Sequence, residues 1–304
     1  MSRILVVGGV NVDVHLFDIH EAPATAPLVA GRHVVEPGGK GANVARAASR
    51  LGAEVKLIAR VGDDGLGREC IEAIREDDVN TDGVVTTTGA ATGVVAIALE
   101  RGHHRSLILA SGANDLLSWD DVEPHAAELG PGDIVITQAE VPADTLARLV
   151  DHTAEAGAFV FLDPAPPERV TEALLSRVEV LTPDRAEAAS LVGRADVSTL
   201  WPRLAARDLI ALGARRVVIK LGEAGALLAT GSEVVDVPAF SVDPVDETGA
   251  GDVFIAALAT YRSEEVGWVE ATRLANIASA LSVAEVGVFF PDRATLDRAA
   301  SVVM

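Results

Sequence analysis

Short apolar runs alternate along this chain with longer stretches in which apolar residues recur every three or four positions. Ile4–Val7, Val55–Ala59, Ile134–Thr137, Phe159–Leu162, Val178–Leu181 and Val217–Lys220 are short, largely apolar runs bounded by Gly, Asp or Pro, and they predict buried strands. Between them, Ala42–Leu51, Leu66–Glu76, Ala143–Ala156, Arg185–Val192 and Trp201–Leu212 carry helical periodicity. Gly52, Gly157 and Gly213 follow three of these helices, where a left-handed C-cap calls for glycine. Strand–helix alternation of this kind predicts a mainly parallel sheet covered by helices on both faces.

Two regions break the rhythm. Residues 11–37 alternate polar and apolar positions around Pro23 and Pro27, and residues 92–110 read as a β-hairpin turning near Gly102. Paired with each other, they predict a small separate sheet. From Val253 onward the pattern is helical, over Val253–Tyr261, Val266–Val283 and Arg293–Val302, and Val235–Phe240 is a further strand candidate. No repeat, linker or low-complexity tract divides the chain, so residues 1–304 are expected to form a single domain with a small outgrowth from 11–37 and 92–110.

Composition narrows the chemistry. With 45 Asp+Glu against 25 Lys+Arg, the chain lacks the clustered cations that a nucleic-acid backbone requires. A few amides, one or two cations and a metal still suffice for a triphosphate. Lys occurs only at 40, 56 and 220; the bias to Arg fits a GC-rich genome, and the acidic excess fits either a salt-adapted host or an ordinary acidic cytoplasmic enzyme. The lone Cys70 allows neither an internal disulfide nor a thiolate zinc cluster. The first residues lead directly into a strand rather than a signal peptide, and no run approaches the roughly 18–20 apolar residues of a membrane span, so the expected location is the cytoplasm.

Three glycine-rich segments carry candidate chemistry. In Asp246-Glu247-Thr248-Gly249-Ala250-Gly251-Asp252, a Gly-Ala-Gly turn runs into an apolar helix. Unpaired amides at a helix start favour an anion, and small residues allow it to approach closely. A carboxylate there, Asp252, suits phosphoryl transfer, with the amides holding the transferring oxygens and the Asp accepting a hydroxyl proton. The competing reading makes the glycines a tight turn and Asp252 an ordinary first-turn residue. Gly38-Gly39-Lys40-Gly41-Ala42-Asn43 also opens a helix but is not a Walker A loop, because Gly follows the Lys. In Gly8-Gly9-Val10-Asn11-Val12-Asp13, Asn11 and Asp13 share one side of an extended segment and suit sugar hydroxyls; alone, such residues are more often turn residues.

Taken in this order, the segments resemble the signatures of the ribokinase (pfkB carbohydrate kinase) family, GGKGAN-like near the N-terminus and DTTGAGD-like near the C-terminus. Gln138-Ala-Glu140, Thr182-Pro-Asp-Arg-Ala-Glu187, Asp163-Pro-Ala-Pro166, Lys220-Leu-Gly222-Glu-Ala-Gly225 and Ser111-Gly-Ala-Asn114 extend the resemblance over essentially the whole chain. It implies a Rossmann-like α/β domain with a small antiparallel β-sheet lid. It further implies an ATP-dependent sugar kinase, with Asp252 as base and the amides of Gly249, Ala250 and Gly251 as the anion hole. Asn11, Asp13, Gly39, Lys40, Asn43 and Glu140 would bind the sugar. Asp184, Lys220, Gly222, Gly225 and Asn276 would lie along the nucleotide, Glu187 would hold Mg²⁺ through water, and Asp246 would ligate K⁺. Three departures stand out: Asp184 replaces the family's usual Asn, Glu247 adds charge to the turn, and Gly287–Pro291 is shorter than the usual cation loop and lacks its Ser.

The motifs fit ribose best as acceptor. Nucleosides, fructose, 2-keto-3-deoxygluconate and phosphorylated sugars are alternatives within the family, and a sugar-binding regulator without turnover is an alternative outside it. An isolated small sheet leaves an apolar face wet, so a homodimer through the lids is expected, with Val94, Ala96, Ile97, Leu99, Leu107 and Leu109 supplying apolar side chains. A monomer whose lid folds back over its own site is the alternative. His103 and His104 read as a solvated hairpin tip, and His15 either lines the sugar site or lies on a strand surface.

Overall fold

The structure, a computed structural model, describes residues 3–19, 28–100, 105–194, 202–231, 233–285 and 287–302. Pro23, Pro27, Gly102, the His103–His104 pair and Trp201 lie outside these residues. In chain order the strands are β1 Ile4–Val7, β2 Asn11–Ile19, β3 Arg32–Gly38, β4 Val55–Gly62, β5 Asn80–Thr87, β6 Gly93–Glu100, β7 Arg105–Ala110, β8 Ile134–Gln138, β9 Phe159–Asp163, β10 Val180–Leu181, β11 Arg216–Lys220, β12 Ala226–Thr230 and β13 Glu233–Val237. The helices are α1 Lys40–Arg50, α2 Gly65–Glu76, α3 Trp119–Ala126, α4 Ala143–Glu155, α5 Glu172–Leu175, α6 Arg185–Leu191, α7 Pro202–Ala211, α8 Ala250–Ser263, α9 Trp268–Ser282 and α10 Arg293–Val302.

Nine strands form the main sheet in the order β13-β12-β11-β10-β9-β8-β1-β4-β5. All neighbours from β11 to β5 are parallel, and β12 and β13 close one edge antiparallel. The apolar runs have their reason here. Ile4 and Val6 enter one core with residues of α1, α8 and α9, whereas Leu5 and Val7 enter the other with residues of α3, α4 and α7. Each fully buried aliphatic side chain contributes roughly 1.5–3 kcal/mol, so both faces of a central strand must be apolar. The expected C-cap glycines adopt positive φ, at 94° for Gly52, 74° for Gly157 and 118° for Gly213. Among the described residues, no helix is long and apolar enough to cross a membrane.

The two interrupting regions form the second, four-stranded sheet, in the order β3-β2-β6-β7. Each hairpin is antiparallel within itself, and the two are joined by a parallel β2–β6 pair. Partners in register share a face. Asp13, His15, Val95, Ile97, Leu107 and Leu109 therefore lie on one face, and Val14, Val35, Ala96 and Ile108 form a row across the other.

Several boundaries differ from expectation. Helices α1 and α8 begin earlier, at Lys40 and Ala250, because Gly39 (φ 91°) and Gly249 (φ 74°) take positive-φ N-cap conformations directly before them. The strand expected over Val178–Leu181 shortens to β10, and the one over Val235–Phe240 shifts to β13. Strands β5 and β12 had no counterpart in the reading of the sequence.

Candidate active site

The carboxyl ends of β1, β8, β9 and β11 converge on the first turns of α1 and α8, the position where open parallel sheets bind ligands. Helix α8 is buried nearly all round, with 11 of its 14 residues inaccessible, so its first turn is rigidly placed. Asp252, its third residue, is 4% exposed. Asn43 on α1 donates its Nδ2–H to Asp252 Oδ2 at 2.9 Å. Asp252 Oδ1 is buried, accepts no hydrogen bond among the described residues, and lies 3.8 Å from Lys40 Nζ. Burial raises the Asp252 pKa above the ordinary carboxylate value, with Lys40 and the Asn43 hydrogen bond opposing that rise. One oxygen is thus held and the other is open, the arrangement required of a base.

Close packing requires several of the glycines. A Cβ on Gly41 would lie 2.6 Å from the Gly8 carbonyl carbon, and one on Gly39 would lie 2.6 Å from the Asn11 amide nitrogen. The GGKG segment therefore lets α1 pack directly against the end of β1. At Gly249 a Cβ would meet Val288 Cγ1 at 2.6 Å, which fixes the turn before α8 against the C-terminal loop. The Ala250 amide makes a long turn bond to Glu247 O (3.3 Å), for which an arriving anion would compete. Glu247 itself is exposed, so its extra charge is solvated.

Lys40, Glu140, Asp163 and Lys220 act electrostatically on or with Asp252, and Glu187 stands beside Lys220 and Asp163. Lys40 Nζ is 3.8 Å from both Asp163 Oδ2 and Asp252 Oδ1, and Asp163 leads the carboxylates that hold its pKa above the usual lysine value. Burial pushes Glu140 up to about 7, helped by the charges of Asp252 and Asp163 and opposed by Lys40. Arg169 donates to the Glu140 carbonyl oxygen at 3.0 Å. Burial also raises Glu187, with Lys220 opposing. Asp184 and Glu187 form a reciprocal capping box at α6: the Glu187 amide donates to Asp184 Oδ1 (2.8 Å), and the Asp184 amide donates to Glu187 Oε2 (2.7 Å). An Asp caps as well as the family's Asn, which accounts for that departure.

Asn11 and Asp13 project from β2 of the small sheet, both buried. Glycines make space for them: a Cβ on Gly93 would lie 2.2 Å from Asn11 Oδ1, and one on Gly38 would lie 2.2 Å from Asp13 Oδ2. Asn114 is a positioning residue that the sequence signalled only as part of a family segment. Its Oδ1 accepts from the Val10 amide (2.9 Å), and its Nδ2 donates to Asn11 Oδ1 (2.8 Å). His15 is neither on the surface nor free: it is 1% exposed, with Nε2 3.0 Å from Glu36 Oε1, and that Glu36 contact raises its pKa.

The remaining predicted residues have local partners of their own. Asn276 donates Nδ2–H to the carbonyls of Val237 (3.1 Å) and Pro238 (3.0 Å), and Gly225 (φ 87°) packs against Val237 O; both serve the β12–β13 edge. Gly222 (φ 60°) opens the turn after Lys220. Asp246 accepts from the Thr248 amide (2.9 Å) and hydroxyl (2.7 Å) and from the Gly287 amide (3.1 Å), tying the C-terminal loop to the turn. A potassium ion at Asp246 would share these oxygens.

A cavity of about 230 Å³ opens beside Asn11 and Glu140, lined also by Leu109, Asn114, Val141 and Arg169. A smaller one, about 160 Å³, lies at the opposite ends of the strands against Arg3, Lys56 and Glu128, far from this chemistry.

Fold and site together define the class: an α/β enzyme that brings a buried carboxylate into the first turn of a helix opened by a glycine turn, at the carboxyl ends of parallel strands. The family follows from comparison with known proteins. Residues 1–294 match the pfkB family of carbohydrate kinases, and the chain belongs to that family. It is 32% identical over 292 residues to the ribokinase of Bacillus subtilis (strain 168), covering 94% of each chain. It is 30% identical over 285 residues to a deoxyribokinase of Salmonella typhi, covering 93% of each. The solved structure of Arabidopsis thaliana ribokinase complexed with ribose and ATP superposes with a TM-score of 0.84 at 27% identity, over 98% of this chain and 99% of that one.

Proposed function

We propose that the chain transfers the γ-phosphoryl group of ATP to the primary hydroxyl of ribose. The observation that carries this reading is Asp252 Oδ1, buried, without a hydrogen bond and flanked by Lys40 at the mouth of a glycine turn. The hydroxyl oxygen of the sugar attacks the γ-phosphorus, the bond to the β-bridging oxygen breaks, ADP leaves, and the hydroxyl proton passes to Asp252. The transition state is loose, so position and charge stabilisation matter more than base strength. Magnesium, when bound, offsets the triphosphate charge. Glu187 would hold it through water.

Ribose is supported over a nucleoside by the cavity, whose lining among the described residues includes no aromatic side chain to stack a nucleobase. The likeness to a deoxyribokinase makes the 2-hydroxyl the informative test. Coupled ADP release over ribose, 2-deoxyribose, fructose and nucleosides should give the highest kcat/KM for ribose; no sugar-dependent ADP release would remove the reading.

Glu140 supplies a pH signature. Below about pH 7 it is protonated, and above it the carboxylate can accept from two hydroxyls. The acceptor KM is therefore expected to fall as pH rises through about 7, and to lose that dependence in Glu140→Gln. An unchanged profile in the variant would remove Glu140 from the acceptor site.

We also propose that two copies pair through their lids. Ile108 (71% exposed) and Val35 (53%) end an apolar row that crosses one face of the small sheet through Val14 and Ala96. Such a row on an isolated sheet calls for a cover. Ile108→Arg should convert a dimer to a monomer in light scattering; a wild-type monomer at every salt and protein concentration would refute the pairing.

A further inference from the structure

Asp163 ends β9 with its carboxylate 1% exposed, yet the transfer step above assigns it no part. Its oxygens are placed for different tasks. Oδ1 accepts from the Ala165 amide at 3.1 Å, which fixes the side chain to its own loop. Oδ2 is shared between two ammonium groups, Lys220 Nζ at 3.5 Å and Lys40 Nζ at 3.8 Å. The two cations come from separate elements, Lys40 opening α1 and Lys220 closing β11.

Each cation also faces a different part of the reaction. Lys40 Nζ stands 3.8 Å from Asp252 Oδ1, on the side of the attacking hydroxyl. Lys220 Nζ stands 3.1 Å from the point a Cβ on Gly251 would occupy, over the glycine turn. A lysine side chain is flexible and its ammonium is a point charge, so it holds a position only where something fixes it. Burial alone would drive the Asp163 proton on; Lys220 and Lys40 reverse that and keep its pKa below the ordinary value.

We infer that Asp163 is a positioning residue for phosphoryl transfer, its single buried carboxylate holding Lys40 and Lys220 on the two sides of the point where acceptor and phosphoryl group meet. The inference rests on the kinase reading above. A purely structural Asp163 would neutralise two lysines without setting the rate. In the functional role, the two ammonium groups stay aimed at the transferring oxygens while charge develops, with no reorganisation at the moment of transfer.

The test exploits the chain's scarcity of lysine, since Lys40, Lys56 and Lys220 are its only ones. NMR of lysine labelled with ¹³C and ¹⁵N resolves all three. Asp163→Asn keeps the shape and the acceptor for the Ala165 amide but removes the charge. It is expected to lower kcat at least about tenfold with the ribose KM within about threefold. The Lys40 and Lys220 ammonium resonances should shift and that of Lys56 should stay. In the wild type, the magnesium complex of a non-hydrolysable ATP analogue should shift the Lys40 and Lys220 resonances together. Lys220→Met provides the second variant if Asp163→Asn misfolds: its ribose KM should hold while kcat falls, and its Lys40 signal should keep the wild-type titration. A folded Asp163→Asn with wild-type kcat, or with unmoved Lys40 and Lys220 signals, overturns the inference, as does a Lys220→Met enzyme with wild-type kcat. A wild-type protein that releases no ADP with any sugar overturns the kinase reading instead, and the lysine spectra then judge Asp163 independently.

Discussion

Asp252→Asn is expected to lower kcat by about 10²–10⁴-fold while leaving acceptor affinity within about threefold. The amide matches the carboxylate in shape, and its oxygen can still accept from Asn43 Nδ2, now 2.9 Å from Oδ2. What it cannot do is take a proton at the buried position of Oδ1. The wild-type pH profile carries a second signature. Because burial raises the Asp252 pKa, the base is lost to protonation at a higher pH than an ordinary carboxylate would be. Activity should therefore fall as pH drops through that raised value and recover above it, and the variant should lack this acidic limb. Isothermal titration with ribose in the variant separates lost chemistry from lost binding. Retention of more than about a tenth of the wild-type kcat would falsify the assignment of Asp252 as base.

How much of this was legible depends on whether the cause is local. The strands of the main sheet stood out because burial on both faces demands apolar runs, as Ile4 to Val7 show by dividing between two cores. Strand β5 escaped notice because it lies at a sheet edge, where Asn80, Asp82 and the threonines are tolerated; β12 is a five-residue segment, ALLAT, that reads equally as helix. The turn at Gly249–Asp252 announced itself, since helix-start chemistry is written in adjacent residues. The GGKG segment opens a helix as its sequence suggests, but the reason for its glycines is not local: they answer to the backbone of Gly8 and Asn11, a contact that no local pattern encodes. Long-range pairs were invisible for the same reason. Asn43 and Asp252 are 209 residues apart, Asn114 and Asn11 are 103 apart, and Lys220 and Asp163 are 57 apart. Periodicity and caps report on neighbours in the chain; the site is built from neighbours across it. For the lid, alternation predicted the sheet but could not choose the exposed face. Ile97 is buried on the face with Asp13, but Leu107 (58% exposed) and Leu109 (54%) on that face reach solvent as Ile108 (71%) does on the other.

The acceptor half of the site gives the other large effect: Asp13→Ala should raise the acceptor KM by about 10–10²-fold while the ATP KM stays within about threefold. Asp13 is 5% exposed on the same lid face as His15, above Gly38, whose missing side chain leaves room for the carboxylate. A carboxylate accepts from sugar hydroxyls through charge-assisted bonds worth about 1.5–3 kcal/mol each, which converts to the stated range. The glycine turn and Lys220, where the triphosphate would lie, belong to the main sheet and its helices, not to the lid. Truncation therefore removes binding on one side only. Because Asp13 also has contacts of its own within the fold, Asp13→Asn is the necessary companion: it keeps the shape, loses the charge, and should show a smaller rise confined to the same substrate. Gly38→Ala approaches the question from the opposite side. Its methyl would come within 2.2 Å of Asp13 Oδ2 and push the carboxylate away without deleting it, so the acceptor KM should rise there as well. If instead all three variants weaken both substrates equally, the lid acts on the site as a whole and Asp13 does not touch the sugar.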